Sequence, residues 1–393
     1  MIWSALRLPT SEINGMPAST DETPSMVKAL RFYDRGDLRL EEVETLPCGP
    51  DDVRLQIHYC GICGTDVTEY TDGPLFPPAK GRKNALTGVS LPVVMGHEFA
   101  GTITEVGLSV TGFTIGQRVA VNPACDHRHY DAEHCNPCQN GQYNICDSTA
   151  TYGLSAPGGG FSEQIVVKAI NCFVLPGSVS LKSAALVEPL AVAHHCIKLS
   201  GFKSGQTVLI CGAGPIGLAI LLILRVMGAS KVIVTEILET RMSQARNFGA
   251  DSVLSPFQST HSNGGSDGTT LDTIRNLAHD GVDVAFDATG LQSTLDLAIA
   301  ATKPRGTIFN VAIHKKPLSL NLDLLAIKEK RLLAGICYLA EDFEAVIQMM
   351  ADGSLQADGM ITSIVPLSNI VQGGFEQLIS NRDAHVKILI QPD

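Results

Sequence analysis

The sequence has no excess of positive charge. Its 393 residues include 29 Lys and Arg against 40 Asp and Glu, which gives a formal net charge of −11, and only 18% of the residues are charged. Nucleic acids and anionic membrane surfaces bind proteins through positive patches. The composition therefore predicts no nucleic acid and no membrane among the partners of this protein.

No segment has the composition of a membrane-spanning helix or of a secretory signal. Residues 208–224 carry no charge over 17 residues, but three glycines and Pro215 divide this stretch into strand, turn and helix. The first 25 residues combine a short apolar stretch with Glu12, Asp21 and Glu22, which is atypical of signal and transit peptides. We expect residues 1–25 to form a disordered extension.

The 11 cysteines, without a recognisable secretory signal, point to a reducing compartment. In such a compartment thiolates bind metals or stay buried instead of forming disulfides, and the odd number of cysteines agrees with this. We therefore expect a cytoplasmic protein.

The hydrophobic pattern changes about halfway along the chain, whose length fits two domains. Residues 53–59 alternate between apolar and polar side chains, as half-buried strands do. After residue 189 short apolar strands alternate with helices, which predicts an α/β fold with a doubly wound parallel sheet. Residues 255–270, rich in Ser, Gly and Thr, are predicted to be a loop insertion. The predicted strands of the second half are 208–211, 231–235, 283–287 and 307–311, and the predicted helices are 190–199, 216–227, 239–248 and 294–301.

A glycine-rich turn joins the first predicted strand of this sheet to a helix. The sequence Gly-Ala-Gly-Pro-Ile-Gly places Gly212 at the turn, Gly214 where a pyrophosphate approaches the backbone, and Gly217 where the helix packs on the strand. Glu236 follows at the end of the next strand, where an acid accepts hydrogen bonds from ribose hydroxyls and repels the extra phosphate of NADP. The predicted cofactor is therefore NAD.

Two further charged residues border the predicted nucleotide cleft. Arg241 either contacts the cofactor phosphates or pairs with a neighbouring carboxylate such as Glu239. Asp287 closes a predicted strand at the same edge of the sheet. Both are candidate cofactor-binding residues.

A loop between residues 123 and 147 holds four cysteines. Four thiolates close a tetrahedral zinc shell and leave no position for a substrate, so we expect a structural zinc that stabilises this loop. One histidine of the loop could instead replace Cys125 as the fourth ligand. The expected ligands are Cys125, Cys135, Cys138 and Cys146, and the alternative donors are His127, His129 and His134.

Metal-binding side chains also occur outside that loop. Cys63 follows a predicted strand directly, His97 and Glu98 are adjacent, and Glu188 precedes the first predicted helix of the second half. One thiolate, one imidazole and one carboxylate leave a position open for a substrate oxygen, which is the composition of a catalytic zinc site. Glu98 and Glu188 compete for the carboxylate role, one as direct ligand and the other through the zinc-bound water, and the sequence does not separate them.

In these motifs and their order, the chain resembles the zinc-dependent medium-chain alcohol dehydrogenases, and within them the 2,3-butanediol dehydrogenases. The resemblance runs from residue 26 to residue 393, with matching segments at 59–66, 96–98, 186–190 and 385–389. It implies a GroES-like, β-rich catalytic domain at residues 26–188 and 338–393, a Rossmann domain at residues 189–337, and assembly into a homodimer or homotetramer.

The same resemblance implies roles for single residues. Thr65 would pass the proton of the substrate hydroxyl toward the cofactor ribose. Thr65 and Glu98, the latter from its position beside His97, are the candidate catalytic residues. The family carries a histidine where this chain has Thr68, so water, Glu69 or Tyr70 would complete the proton path.

Together these features predict a zinc- and NAD-dependent oxidoreductase that interconverts a secondary alcohol or vicinal diol, such as 2,3-butanediol, and its ketone. A polyol dehydrogenase for sorbitol- or xylitol-like substrates is an alternative, because it would share the zinc residues. An oxidoreductase that modifies a larger natural product is another. The non-enzymatic alternative is an NAD-binding protein that has lost turnover, and only Thr68 favours it.

Overall fold

The computed structural model describes residues 25–130, 132–256 and 269–393. The extension predicted at residues 1–25 lies outside the described residues except for Ser25. The loop insertion predicted at residues 255–270 lies outside them at residues 257–268.

The described strands follow one another along the whole chain. They are β1 (Met26–Asp34), β2 (Asp37–Glu44), β3 (Asp52–Gly61), β4 (Val93–Val94), β5 (Glu98–Val106), β6 (Arg118–Val121), β7 (Ala124–Cys125), β8 (Ala150–Thr151), β9 (Gln164–Lys168), β10 (Cys172–Val174), β11 (Thr207–Cys211), β12 (Lys231–Thr235), β13 (Ser252–Leu254), β14 (Val282–Asp287), β15 (Thr302–Asn310), β16 (Arg331–Ala334), β17 (Ile361–Pro366) and β18 (Lys387–Gln391).

Most of the described helices lie in the second half of the chain. The α-helices are α1 (Gly64–Asp72), α2 (Asn136–Gln139), α3 (Leu181–Ala184), α4 (Val187–Ser200), α5 (Pro215–Val226), α6 (Glu239–Asn247), α7 (Thr270–Ala278), α8 (Gln292–Ala301), α9 (Asp323–Ala326), α10 (Ala340–Ala351) and α11 (Glu376–Ser380). Short 3₁₀ turns lie at His127–His129, Tyr143–Ile145, Ala169–Asn171, Asp358–Met360, Leu367–Asn369 and Arg382–Ala384, and a π-helix at Ile370–Phe375.

Strands from both ends of the chain share the main sheet of the β-rich part. Its order is β10-β6-β5-β3-β18-β17, with β9 also paired to β3. Val53, Leu55 and Ile57 of β3 are buried while their neighbours are partly exposed, as the alternation in the sequence predicts. The C-terminal β18 runs antiparallel to β3 and pairs with its end, so the last residues of the chain lie beside the start of α1.

The second sheet is parallel throughout and has the order β13-β12-β11-β14-β15-β16. Apolar side chains cover both of its faces: Val208 and Ile210 of β11 belong to one core cluster, and Leu209 to another. The strand order reverses at β11, between β12 and β14, which is where α/β sheets bind ligands. The predicted doubly wound sheet is thereby confirmed.

Helix α4 begins earlier than the sequence pattern predicts. It starts at Val187 instead of residue 190, which places both Glu188 and Pro189 in its first turn. Proline is tolerated there because the first N–H groups of a helix have no partner within the helix. The start of α4 thus fixes the direction of the Glu188 side chain. None of the described helices is long and apolar enough to cross a membrane.

Candidate metal and nucleotide sites

Cys63, His97 and Glu98 converge although more than 30 residues separate the first from the other two. Their donor atoms all lie within 4.8 Å of one another. Cys63 is the residue that precedes α1, and Glu98 is the first residue of β5. Gly96 has a φ of 91°, and a Cβ there would lie 2.7 Å from the backbone nitrogen of Phe161. Only glycine therefore fits the turn that delivers His97.

Asp66 supports this group from behind. Its side chain is fully buried, one oxygen accepts a hydrogen bond of 2.9 Å from the Cys63 backbone N–H, and the other lies 3.4 Å from His97 Nδ1. Burial lowers the pKa of His97, but the negative charges of Asp66 and Cys63 outweigh this and raise it well above its usual value. A metal-bound histidine commonly has a carboxylate beside its second ring nitrogen, as Asp66 lies beside Nδ1 of His97. These donors therefore fit a cation.

Lys387 is a buried cation that the sequence analysis did not identify. Its side chain is 1% exposed, and Nζ lies 2.8 and 2.7 Å from the two carboxylate oxygens of Glu98 and 3.1 Å from the Ile62 carbonyl oxygen. In the sequence, a single lysine within the apolar run 386–390 could have indicated a buried, paired cation. Because β18 pairs with β3, this lysine reaches Glu98 from the far end of the chain.

Glu188 lies beside the donor group but is not part of it. The carboxyl interacts with the hydroxyl of Tyr338, a second buried residue that the sequence analysis missed. Burial, followed by the nearby charge of Glu98, raises the pKa of Glu188 to about 7. The structure thus groups Glu98, and not Glu188, with Cys63 and His97.

The candidate proton path runs along α1. Thr65 is half-buried in the first turn, and the Thr68 hydroxyl donates a 2.9 Å hydrogen bond to the Gly64 carbonyl. The buried Glu69 carboxylate accepts hydrogen bonds from the backbone N–H groups of Leu75 and Phe76. Glu69 therefore holds the following loop.

The second donor group lies in the loop after β7. His127, Cys135, Cys138 and Cys146 present ligand atoms within 4.8 Å of one another. The Sγ atoms of Cys135 and Cys146 are 3.9 Å apart, close to the roughly 3.8 Å expected of two thiolates bound to one zinc at about 2.3 Å in tetrahedral geometry. The loop therefore has the shape of a closed four-ligand metal site.

The structure places Cys125 elsewhere, which corrects its expected role as the fourth ligand. Cys125 belongs to β7, and its side chain points into the hydrophobic core, where it interacts with the hydroxyls of Tyr130 and Tyr152. Burial raises the pKa of this thiol to about 12, and its Sγ is not among the four clustered donor atoms. His127, one of the alternatives left open by the sequence, provides the fourth donor atom of the group.

Two of the three glycines of the nucleotide loop, Gly212 and Gly217, occupy positions where a side chain would clash with neighbouring atoms. Gly212 has a φ of 96°, and a Cβ on Gly217 would lie 2.0 Å from the Gly212 carbonyl oxygen. Gly214 immediately precedes α5, whose first N–H groups face the loop. The loop therefore leaves its backbone accessible to a phosphate at the helix N-terminus.

Glu236 holds the glycine loop from the end of β12. One of its oxygens accepts a 2.8 Å hydrogen bond from the Ala213 backbone N–H, and the other accepts from Ile237 and Leu238. Arg241 Nη1 lies 3.9 Å from the position of a Cβ on Gly214, and its buried Nε has no hydrogen-bond partner among the described residues. Both residues thus border the loop.

Asp287 is fully buried at the end of β14. Its Oδ1 accepts hydrogen bonds from the backbone N–H and hydroxyl of Thr289 and from the hydroxyl of Thr294. Its contacts therefore fix the turn at Thr289, whose side chain lies against Gly212 of the glycine loop.

Comparison with known proteins identifies both halves of the chain. The alcohol dehydrogenase GroES-like domain family matches residues 49–177, and the zinc-binding dehydrogenase family matches residues 215–352. The chain is 35% identical to the (R,R)-butanediol dehydrogenase of Saccharomyces cerevisiae over 93% of this chain and 98% of that protein. It is 29% identical to the probable D-xylulose reductase A of Emericella nidulans over 88% and 89%.

A solved structure of a relative has the same fold as this chain. The crystal structure of 2R,3R-butanediol dehydrogenase from Bacillus subtilis superimposes with a TM-score of 0.85 at 34% identity, covering 93% of this chain and all of that one.

Proposed function

The chain belongs to the zinc-binding alcohol dehydrogenase family and is an oxidoreductase, and we propose that it interconverts a vicinal diol or secondary alcohol and its ketone with NAD. The observation that carries this proposal is the convergence of Cys63, His97 and Glu98. The names of the yeast and Bacillus relatives direct the choice of substrate toward 2,3-butanediol.

Cys63, His97 and Glu98 would hold a catalytic zinc. A bound zinc ion supplies a Lewis acid that lowers the pKa of a substrate alcohol. Asp66 orients the His97 ring. Lys387 neutralises the charge of the buried Glu98 carboxylate, which would otherwise be costly to bury. Three protein donors leave a fourth position for a substrate oxygen.

Glu188 and Thr65 complete the proposed site. The buried Glu188 carboxyl lies beside this donor group, where it can accept a hydrogen bond from a substrate hydroxyl or from water. We propose that Thr65 receives the substrate hydroxyl proton. Since Glu69 binds two backbone N–H groups, we assign the outer end of the proton path to water.

The cofactor would lie across the carboxyl ends of β11, β12 and β14. We propose that the glycine loop binds the pyrophosphate, with Arg241 beside it, and that Glu236 discriminates against NADP through its charge. The loop with His127, Cys135, Cys138 and Cys146 would hold a second, structural zinc.

The test is NAD reduction by zinc-replete protein with the 2,3-butanediol stereoisomers, sorbitol and xylitol, repeated with NADP, and with zinc counted per chain. Selective turnover of one diol stereoisomer with NAD and two zinc ions per chain is expected. Turnover of polyols alone would favour the second candidate, a polyol dehydrogenase, which the resemblance to the probable D-xylulose reductase supports. Two zinc ions with no turnover of either class would contradict both.

We also propose a homo-oligomer, formed at the edge of the parallel sheet. Among the described residues β16 has a strand partner on one side only, and it carries the exposed Leu332 and Leu333. Ile327, 75% exposed, lies nearby in the chain. An unpaired apolar edge is a template for a second strand. Light scattering should show a dimer or tetramer that Leu332→Lys weakens, and a monomeric wild type would contradict the proposal.

A further inference from the structure

A short segment after β16 borders Glu188 and connects it to the rest of the molecule. The segment spans residues 335–342 and ends in the first turn of α10. Cys337 has a φ of 57°, a left-handed conformation that is uncommon for residues other than glycine. Tyr338, only 4% exposed, follows and interacts with the Glu188 carboxyl. Backbone conformation in this segment therefore decides where the Tyr338 hydroxyl lies.

Asp342 holds the far end of the segment on α4, the helix that carries Glu188. Its buried carboxylate accepts hydrogen bonds from His194 Nδ1 at 2.7 Å, His195 Nδ1 at 2.8 Å and the Leu339 backbone N–H at 2.9 Å. Lys198 Nζ lies 3.1 Å away. Four donors satisfy both oxygens, as burial of a carboxylate requires.

Asn144 holds the near end of the segment. His195 Nδ1 donates to the Asp342 carboxylate, and because the Asn144 amide nitrogen can only donate, His195 Nε2 accepts from it. Asn144 Nδ2 lies 3.3 Å from that Nε2 and 3.1 Å from the Ile336 carbonyl oxygen. The two amide hydrogens of Asn144 thus bind two different elements, α4 and the segment that carries Tyr338.

Asn144 belongs to the loop of the four-donor metal group. It lies two residues before Cys146, within the 3₁₀ turn Tyr143–Ile145. The conformation of that loop therefore sets the position of the Asn144 amide. From there two steps lead to the active-site carboxyl: Asn144 fixes Ile336, and Tyr338 two residues later faces Glu188.

We propose that Asn144 is a positioning residue through which the metal loop holds Tyr338 and Glu188 in place for the reaction. The inference rests on the proposed function, because it assumes that Glu188 lies at the reacting centre. It gives the metal loop a part in turnover besides its part in folding. Asn144 is not one of the proposed metal donors or cofactor-binding residues, and it acts through His195 and Ile336.

The experiment compares Asn144→Ala with Tyr338→Phe, the double variant and the control Asn140→Ala. Asn140 lies in the same loop, and within the described part of the chain its side chain forms hydrogen bonds with Asn136 alone. Asn144→Ala should lower kcat with the diol by about threefold to tenfold, the range for the loss of one or two buried hydrogen bonds. The dissociation constant of NADH, followed by fluorescence, should not change, and Asn140→Ala should match the wild type.

The double variant decides whether Asn144 acts through Tyr338. If it does, the double variant is no slower than the slower single variant, because the two changes break one chain of contacts. Multiplied losses, or equal losses in Asn144→Ala and Asn140→Ala, would overturn the proposal. A parallel loss of NADH affinity would overturn it as well, since the change would then reach beyond the Glu188 segment.

Hydrogen exchange provides a readout that does not depend on turnover. Asn144→Ala should accelerate exchange of the backbone amides at residues 336–342, whereas Asn140→Ala should change only the metal loop. If the wild type turns over no alcohol, the proposed function fails, yet exchange still tests the contact. Unchanged exchange at residues 336–342 in Asn144→Ala would overturn the positioning role by itself.

Discussion

The two donor groups differ in how far apart along the chain their residues lie. His127, Cys135, Cys138 and Cys146 fall within one loop, whereas Cys63, His97 and Glu98 come from two segments and depend on Lys387 near the C-terminus. A metal in the loop replaces a hydrophobic core that the loop is too short to build. The other group exists only after the main sheet has formed. Loss of a ligand should therefore affect folding in one place and chemistry in the other.

The largest expected effect is on turnover, from Cys63→Ser. Serine is a poor ligand for zinc, so we expect loss of the catalytic metal and a fall in kcat of at least about a hundredfold, beyond the range for supporting residues. NADH affinity should be little changed because the glycine loop before α5, which would bind the pyrophosphate, contains none of the donors of the open site. Steady-state kinetics and a fluorescence titration of NADH measure the two quantities, and retained turnover would remove Cys63 from the site.

The next effect is on folding, from Cys138→Ser. The variant should bind one zinc per chain instead of two and should melt at least about 5 °C lower, because metal binding in this loop contributes to the free energy of folding.

Cys125→Ala is the matched control. It should keep both zinc ions, since Cys125 contacts two tyrosines and no other donor of the group. Elemental analysis and calorimetry test both variants, and loss of a zinc in Cys125→Ala would restore Cys125 as a ligand.

A third change tests the dependence of the open site on tertiary structure. Lys387→Met leaves the buried Glu98 carboxylate without its cation, which should lower the free energy of unfolding by about 3–5 kcal/mol. Adding Glu98→Gln should recover part of that loss, because the buried charge is then removed. Urea unfolding, with the zinc removed by a chelator, measures the free energy of unfolding and so the contribution of the Lys387–Glu98 pair without the metal. Equal free energies of unfolding for Lys387→Met and the wild type would contradict this ion pair.

The sequence was sufficient for features that depend on neighbours along the chain. The glycine loop at 212–217 needs only a strand before it and a helix after it, and strand alternation at 53–59 needs only its own residues. Cys63 and His97 could be proposed because their neighbours carry the family pattern. The doubly wound sheet follows from the order of strands and helices.

Other features could not be predicted because they depend on which way a side chain points in the folded chain. Cys125 has a spacing that suits a ligand, but the direction of β7 turns it into the core. Lys387 and Glu98 are 289 residues apart, and only the pairing of β18 with β3 brings them together. Helix α4 starts at Val187, which places Glu188 near Tyr338. The sequence does not predict this start, because Pro189 is compatible both with the first turn of a helix and with a loop before it.

The smallest change tests the supporting contact of the open site. Asp66→Asn keeps an oxygen for the Cys63 backbone N–H but removes the negative charge that faces His97 Nδ1. Loss of such a carboxylate lowers metal affinity or activity by about tenfold to a hundredfold, because the histidine is then less basic and less well oriented. The fold should be little affected, since Asn has the same shape as Asp.

Competition with a chromophoric chelator measures the zinc affinity of the open site. The four-donor loop serves as the internal reference, because its zinc should be released as in the wild type. If Asp66→Asn weakened both sites equally, the two groups would not be independent, and the contrast between a site made by a loop and a site made by the fold would fail.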